Sequence, residues 1–201
     1  MAVKNLSCTR EGDSIAVTWS WDVDQGAAQI VVSRLLDGEE VARKNVSQSL
    51  YEQAINGPRH GPTVKAPPVP LRVSVRDGNS EQSIDLIDRH YTVDWRLRRL
   101  NVYKRGFFGP TLLRTNVRLQ LRFPYEGQVP SDLFYYVLTP PGGNPEKDGL
   151  IGYLPELRPG INEYGVLDLG GQTIQLCCNP GRQEVSRLFH FRRLADEESE
   201  V

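Results

Sequence analysis

Residues 15–21 alternate between large apolar and small side chains, and this pattern constrains the fold more than any other part of the chain. The large residues are Ile15, Val17, Trp19 and Trp21, and the small ones are Ala16, Thr18 and Ser20. A period of two directs every large side chain to one face of an extended strand, whereas a helix would spread them around its axis. The segment is therefore predicted to be a half-buried antiparallel β-strand.

Similar patterns recur along the 201 residues and predict an all-β fold. Residues 117–123 place apolar side chains at every second position, and no segment shows the 3.6-residue period of an amphipathic helix. Little helix is therefore expected. A β-sandwich domain needs about 100 residues, so the length favours two tandem antiparallel β-sandwich domains. A single larger sandwich or barrel is the alternative.

Residues 1–88 resemble a fibronectin type III or immunoglobulin-like module. The resemblance rests on the early strand with Trp19, the aliphatic run at residues 30–32, and a late hairpin that turns at Asp77-Gly78-Asn79. The penultimate strand, residues 71–75, carries Leu and Val where the family usually has a Tyr. The resemblance implies a β-sandwich that serves protein contact or spacing rather than chemistry.

The second sandwich domain is predicted to span residues 91–194, after a short junction at residues 83–90. The apolar pattern changes phase near Arg98-Arg99, which predicts a bulge or bend there. Residues 133–138 are apolar on both faces and are predicted to form a central, covered strand. Residues 195–201 are mostly acidic and are predicted to be a disordered tail.

Charge and cysteine content narrow the classes of partner. Lys and Arg total 24 against 25 Asp and Glu, so no chain-wide field attracts nucleic acid or an anionic membrane. No stretch approaches the ~20 apolar residues of a membrane span, and residues 1–6 lack a signal-peptide core. Cys8, Cys177 and Cys178 form no even disulfide framework. We therefore expect a reducing, cytoplasmic environment and no membrane association.

The strongest local feature is a basic block at residues 89–122, with nine Lys or Arg and one acid, Asp94. The polar positions of two strands predicted to be neighbours carry Arg96, Arg98, Arg118 and Arg122. Together these arginines are predicted to form a positive sheet face. Such a face suits phosphate, an acidic protein partner or the chain's own acidic tail. Outward arginines also protect sheet edges from unwanted pairing, which is a purely structural explanation.

Two adjacent aromatic residues, Phe107 and Phe108, lie in a predicted loop bounded by glycines. Exposed loop aromatics are common interface anchors. The leading hypothesis is accordingly a non-enzymatic protein-interaction or scaffold module, whose protein partner contacts this loop and the arginine face. The structural alternative is that one Phe fills the edge of the core.

No catalytic residue, metal ligand or cofactor is predicted. Cys177 and Cys178 with His190 raise the possibility of a zinc or thiol site, but neighbouring strand residues point to opposite faces and rarely share one ion. Three further functions remain open. They are carbohydrate binding through Tyr135, Tyr136, Tyr153 or Tyr164, nucleic-acid binding through the basic face, and service as an accessory fragment of a larger enzyme.

Overall fold

The computed structural model describes residues 3–21, 26–78, 80–125, 127, 129–154, 156–166 and 171–200, and it is an all-β protein as predicted. The side chains of Trp21 and Glu200 lie outside this described part. The chain divides into two compact units, Met1–Arg89 and His90–Val201, here called unit 1 and unit 2.

Unit 1 contains two antiparallel sheets. The three-stranded sheet has the order β1 (Val3–Glu11), β2 (Ser14–Trp21), β5 (Thr63–Lys65). The four-stranded sheet has the order β4 (Glu40–Ser47), β3 (Ala27–Arg34), β6 (Leu71–Asp77), β7 (Ser80–Leu86). The predicted late hairpin is present between β6 and β7, where Asp77 pairs with Ser80, although Asn79 of its turn lies outside the described residues.

The alternating residues of β2 direct its large apolar side chains into the core, as the period of two predicts. Ile15, Val17 and Trp19 are buried, and they join one apolar cluster with residues of the other sheet, including Ile30, Val32, Leu71, Val73 and Val75. A shared core between two antiparallel sheets is consistent with a β-sandwich. The register of β2 is fixed because a slip of one residue would move this whole set to the opposite face.

One helix of unit 1 was not predicted. Helix α1 (Gln48–Ile55) begins at Ser47, whose hydroxyl accepts from the Leu50 N–H as an N-cap. It carries Tyr51 against Trp19, with ring centroids 4.3 Å apart. The Tyr51 hydroxyl accepts from the Trp19 N–H at 2.9 Å and donates to the Trp19 carbonyl. β5 pairs with only three residues of β2, Ser14 to Ala16. Tyr51 therefore provides hydrogen-bond partners to the main chain of β2 farther along, at Trp19.

Unit 2 is built around one long hairpin. Its strands are β8 (Tyr91–Gly106) and β9 (Gly109–Phe123), and other strands pair with the first part of β8 and the second half of β9. The larger sheet has the order β12 (Gly160–Val166), β9, β8, β14 (Phe189–Arg193), with β15 (Glu197–Glu200) also on β8. The smaller sheet has the order β11 (Leu150–Tyr153), β10 (Phe134–Thr139), β13 (Thr173–Cys178). Two short helices, α2 (Pro145–Asp148) and α3 (Gln183–Ser186), complete it.

The core of unit 2 is aromatic. Phe134 from the smaller sheet packs edge-on against Phe123 and Phe189 of the larger one, at centroid distances of 5.9 and 5.1 Å. All three rings are buried. Such edge-to-face contacts add to the free energy gained by burying the rings. The strand β10 is central in its sheet, as predicted, although Tyr135, Tyr136 and Val137 are only half-buried.

Two predictions for unit 2 were wrong. No bulge lies at Arg98-Arg99, because β8 and β9 pair without interruption from Asp94 to Val102. The register shifts between Val102 and Tyr103, where Leu113 of β9 is the extra residue. The apparent phase change has another cause, since Leu100 and Val102 are apolar residues on the outward face and are only half-buried.

The acidic C-terminal segment also differs from its prediction as a disordered tail. Glu197–Glu200 form β15, which pairs in parallel with Arg98–Asn101 of β8. The segment has no apolar pattern of its own, so its order comes from the unpaired main-chain groups and the arginines that β8 presents.

We expect the substitution Tyr51→Phe to lower the free energy of unfolding of unit 1 by about 1–3 kcal/mol, because the buried main chain of Trp19 would lose two hydrogen bonds. Urea unfolding followed by tryptophan fluorescence measures this. The matched control is Tyr153→Phe, whose side chain is largely exposed and which should change stability by less than ~0.5 kcal/mol. Equal stability of the two variants would contradict the role assigned to Tyr51.

Candidate functional site

The structure brings the four predicted arginines to one outward face of the β8–β9 pair. Residues at odd positions of both strands, from Val93 to Leu97 and from Val117 to Phe123, are buried, so the even positions face away from the core. Arg98 lies directly opposite Arg118, Arg96 opposite Gln120, and Arg122 opposite Asp94. The predicted alignment of the arginines on one face is therefore present.

These arginines lie among carboxylates, of which only Asp94 belongs to the basic block. We call this surface the charged face, and its members are Asp94, Arg96, Arg98, Arg118, Gln120, Arg122, Glu163, Arg192 and Glu197. Glu163 of β12 accepts from Arg98 at 2.6 Å, Arg118 at 3.2 Å and Gln120 at 2.8 Å. Glu197 of β15 pairs with Arg96 at 2.6 Å and with Arg98 at 3.3 Å. Three of the four predicted arginines are thus paired with a carboxylate, which partly offsets the positive charge of the block.

Glu163 is the centre of this network. The hydrogen bond from Arg98 holds the pKa of Glu163 below its ordinary value, and hydrogen bonds from Gln120 and Arg118 act in the same direction against partial burial. The same contact raises the pKa of Arg98. Both groups therefore stay ionised at neutral pH, and the pair holds β12 against β9 and β8.

Two further ion pairs fix the C-terminal strands. Arg192 of β14 binds Asp94 with two hydrogen bonds of 2.6 and 2.8 Å, which lower the pKa of Asp94. Asp196 accepts from the Leu97 N–H at 3.3 Å and from Arg99 at 3.0 Å. Burial raises the pKa of Asp196, but these donors outweigh it and the net shift is downward. Asp196 thereby bridges the gap between β14 and β15 along β8.

The distal part of the hairpin extends beyond the other strands. We call residues 102–113 the arm. Residues 103–106 pair with residues 109–112, Val102 pairs with Arg114, and no further strand among the described residues pairs with the arm. A strand rises about 3.3 Å per residue. Gly106 therefore lies about 16 Å beyond Asn101, the last residue of β8 that pairs with β15. An isolated two-stranded ribbon is at best marginally stable in water. An exposed ribbon of this length is therefore unusual, and it is a candidate for a role in binding.

Phe107 and Phe108 form the tip of the arm. Both side chains are completely exposed, and their rings meet edge to face at 5.6 Å. Gly106 pairs with Gly109 across the turn. Gly109 adopts a positive φ of +118°, a backbone conformation that glycine tolerates, and neither Phe has a positive φ. Leu112 and Leu113 behind the tip are also more than half exposed. Neither Phe fills the edge of the core.

The remaining candidate residues are separated. Cys177 lies opposite Tyr135 and Cys178 opposite Phe134, so their side chains point to opposite faces of β13. Burial raises the pKa of the Cys178 thiol to about 11 and also raises that of Cys177, which disfavours a thiolate nucleophile. His190 lies on β14 with its ring 5.3 Å from His90. No group of three or more His, Cys, Asp or Glu residues in the described part of the chain could hold a metal ion.

The tyrosines considered for sugar binding divide between two faces. Tyr135 and the exposed Tyr153 are cross-strand neighbours on one face, beside Val137 and Ile151. Tyr136 lies on the other face, close over Gly152, where a Cβ atom would meet its ring at 2.0 Å. Tyr164 donates to the carbonyl of Glu156.

Comparisons with known proteins give no family. No protein-family model matches the chain, and a search of curated proteins finds no match. Within the described residues, no helix has both the length and the apolar character to cross a membrane.

Sequence reasoning missed Glu163 as a partner of the arginines, whereas the acidic tail that contains Glu197 was among the partners expected for their face. A signal for Glu163 exists, because this carboxylate occupies an outward position of a strand that pairs with β9. That signal becomes readable only when the strand order is known, since Glu163 is 65 residues from Arg98 in sequence.

The charged face should make unit 2 sensitive to acid. A carboxylate whose folded pKa is depressed stabilises the fold above its unfolded pKa, and this contribution is lost as the pH falls through the folded value. Glu163, Asp94 and Asp196 all have lowered pKa values, so unit 2 should lose stability between about pH 5 and pH 3. Glu163→Gln should reduce that pH dependence. Urea midpoints at several pH values test this, with Glu11→Gln as the exposed control; an unchanged pH dependence in Glu163→Gln would refute it.

Proposed function

We propose that this protein is a non-enzymatic protein-interaction or scaffold module that binds a partner protein through the tip of the arm. The observation that carries the proposal is the fully exposed pair Phe107 and Phe108, at the end of a ribbon that no other strand of the described residues pairs with. Exposing two aromatic rings at such a site costs free energy in water, and burial in a partner's pocket recovers it.

The architecture supports a module of this kind. Unit 1 has antiparallel sheets of three and four strands around one core, which favours a fibronectin type III-like β-sandwich. Unit 2 has an antiparallel sheet and a mixed sheet whose aromatic residues pack together, which favours a second sandwich. We propose that the chain is a tandem of these two domains. Its three free cysteines fit a reducing compartment.

The chemistry around the tip defines the partner surface. Lys104 and Arg105 on the arm, and Arg114 next to it, are exposed behind the two rings. An apolar pocket with an acidic rim would complement this arrangement, with the rings supplying affinity and the basic side chains supplying orientation and association rate. The charged face contributes less than the sequence indicated, because Glu163 and Glu197 already pair with its arginines. For the same reason nucleic-acid binding is not favoured.

Carbohydrate binding is the second candidate, and one observation favours it. Tyr153 is 68% exposed beside Tyr135 on a sheet face that also carries Ile151. Adjacent tyrosine rings offer a flat surface on which a sugar can stack. Binding on a glycan array that is lost in Tyr153→Ala, and retained in Phe107→Ser/Phe108→Ser, would select this function over the protein-binding one.

The test of the proposed function is a comparison of two matched variants. Tagged wild-type protein captures a partner from nuclease-treated lysate, and the purified partner is then titrated against Phe107→Ser/Phe108→Ser and against Leu50→Ser. Leu50 is exposed on α1 of unit 1, so it controls for the loss of any exposed apolar side chain. An anchor residue contributes about 2 kcal/mol or more, so the double variant should weaken binding at least ~30-fold, whereas Leu50→Ser should not.

Either of two results would reject the proposal. The first is equal affinity of the double variant and wild type for the captured partner. The second is a partner lost on nuclease treatment, which would point to nucleic acid. Circular dichroism of the double variant checks that the fold is intact. No change is expected, because both side chains are fully exposed.

A further inference from the structure

One edge of β8 is shared by two strands of the same chain and then left open. β14 covers Tyr91–Trp95 and β15 covers Arg98–Asn101, both in parallel orientation. From Val102 to Arg105 the described residues provide no strand on that side, although β9 pairs on the other. An open strand edge presents main-chain donors and acceptors to any extended segment.

The side chains along this edge are selective for acidic residues. Glu197 meets Arg96 and Arg98, and Asp196 meets Arg99 as well as the Leu97 N–H. Farther along, Lys104 and Arg105 are exposed. The basic side chains thus continue beyond the point where the chain's own acidic strand ends.

We propose that the β8 edge from Arg98 to Arg105 is a binding site for an extended acidic segment of a partner protein, which adds to the sheet in parallel and replaces β15. The segment β15 shows the chemistry of the occupant, because it is an acidic strand already seated there by main-chain pairing and Arg contacts. This site is separate from the aromatic tip and goes beyond the function proposed above.

β15 is suited to being displaced. It makes only four register pairs with β8 in the described residues, Glu197 to Glu200, and its ion pairs are partly exposed to solvent. Exposed ion pairs contribute little and are screened by salt. A longer strand in the same register would also pair with residues 102–105 and place carboxylates beside Lys104 and Arg105. Strand addition of this kind gives affinity through main-chain bonds and specificity through side chains.

A labelled peptide tests the proposal on the full chain. Its sequence is residues 194–201 continued by Thr-Glu-Glu, which in the register of β15 sets two carboxylates opposite Lys104 and Arg105. Fluorescence anisotropy measures its binding to wild type and to Glu197→Arg, in which repulsion from Arg96 and Arg98 releases β15. The peptide should bind the variant at least ten-fold more tightly than wild type. Raising the salt from 50 to 500 mM should weaken this binding, since the contacts are ionic.

Two controls, a replacement variant and a hydrogen-exchange measurement make the result decisive. A peptide with Gln and Asn in place of every Glu and Asp should bind at least ten-fold more weakly. Phe107→Ser/Phe108→Ser combined with Glu197→Arg should bind as Glu197→Arg does, which separates this site from the tip. If Glu197→Arg does not fold, Glu197→Gln replaces it with a smaller expected gain. Hydrogen exchange should show protection of residues 102–105 on binding.

The proposal is overturned if the peptide binds the released variant no more tightly than wild type, or if the neutral peptide binds equally well. It is also overturned if binding leaves the amides of residues 102–105 unprotected, since the segment would then not extend along the β8 edge.

Discussion

The pairing of β8 with β9 is the interaction on which the rest of unit 2 depends. Because side chains alternate across a strand, the same two strands supply the buried row from Val93 to Leu97 and the charged row on the opposite side. The neighbouring strands β12, β14 and β15 then attach to their outer edges. The core, the charged face and the arm are therefore consequences of one register, and a change in it would alter all three together.

The charged face shows how local charge and surface charge can differ. The block is basic in the sequence, but strand pairing brings two carboxylates from distant positions next to its arginines. These carboxylates belong to Glu163 and Glu197. The result is a patchwork of opposite charges rather than a positive field. Patchworks of this kind hold strands in place and suppress wrong partners, whereas a uniform field would attract polyanions. The exposed apolar tip therefore becomes the stronger candidate for recognition.

Patterns with a strong period were readable from the sequence, and patterns that depend on a partner were not. The strand with Trp19 and the placement of the four arginines on one outward face follow from a period of two. Helix α1 escaped because its few apolar residues form no long stripe, and it is held by Tyr51 and a Ser47 cap. β15 escaped because nothing in its own residues favours a strand. The position of the bulge depends on cross-strand register, which a single strand does not encode.

The extra residue Leu113 has a consequence for where the arm points. A bulge bends its strand and increases the local twist, so we expect the ribbon to change direction between the sheet and its tip. The bulge also puts Leu112 opposite Tyr103, on the side that continues from the buried core. Leu113 therefore influences the direction in which the arm presents the two Phe rings, although it lies outside the turn that holds them.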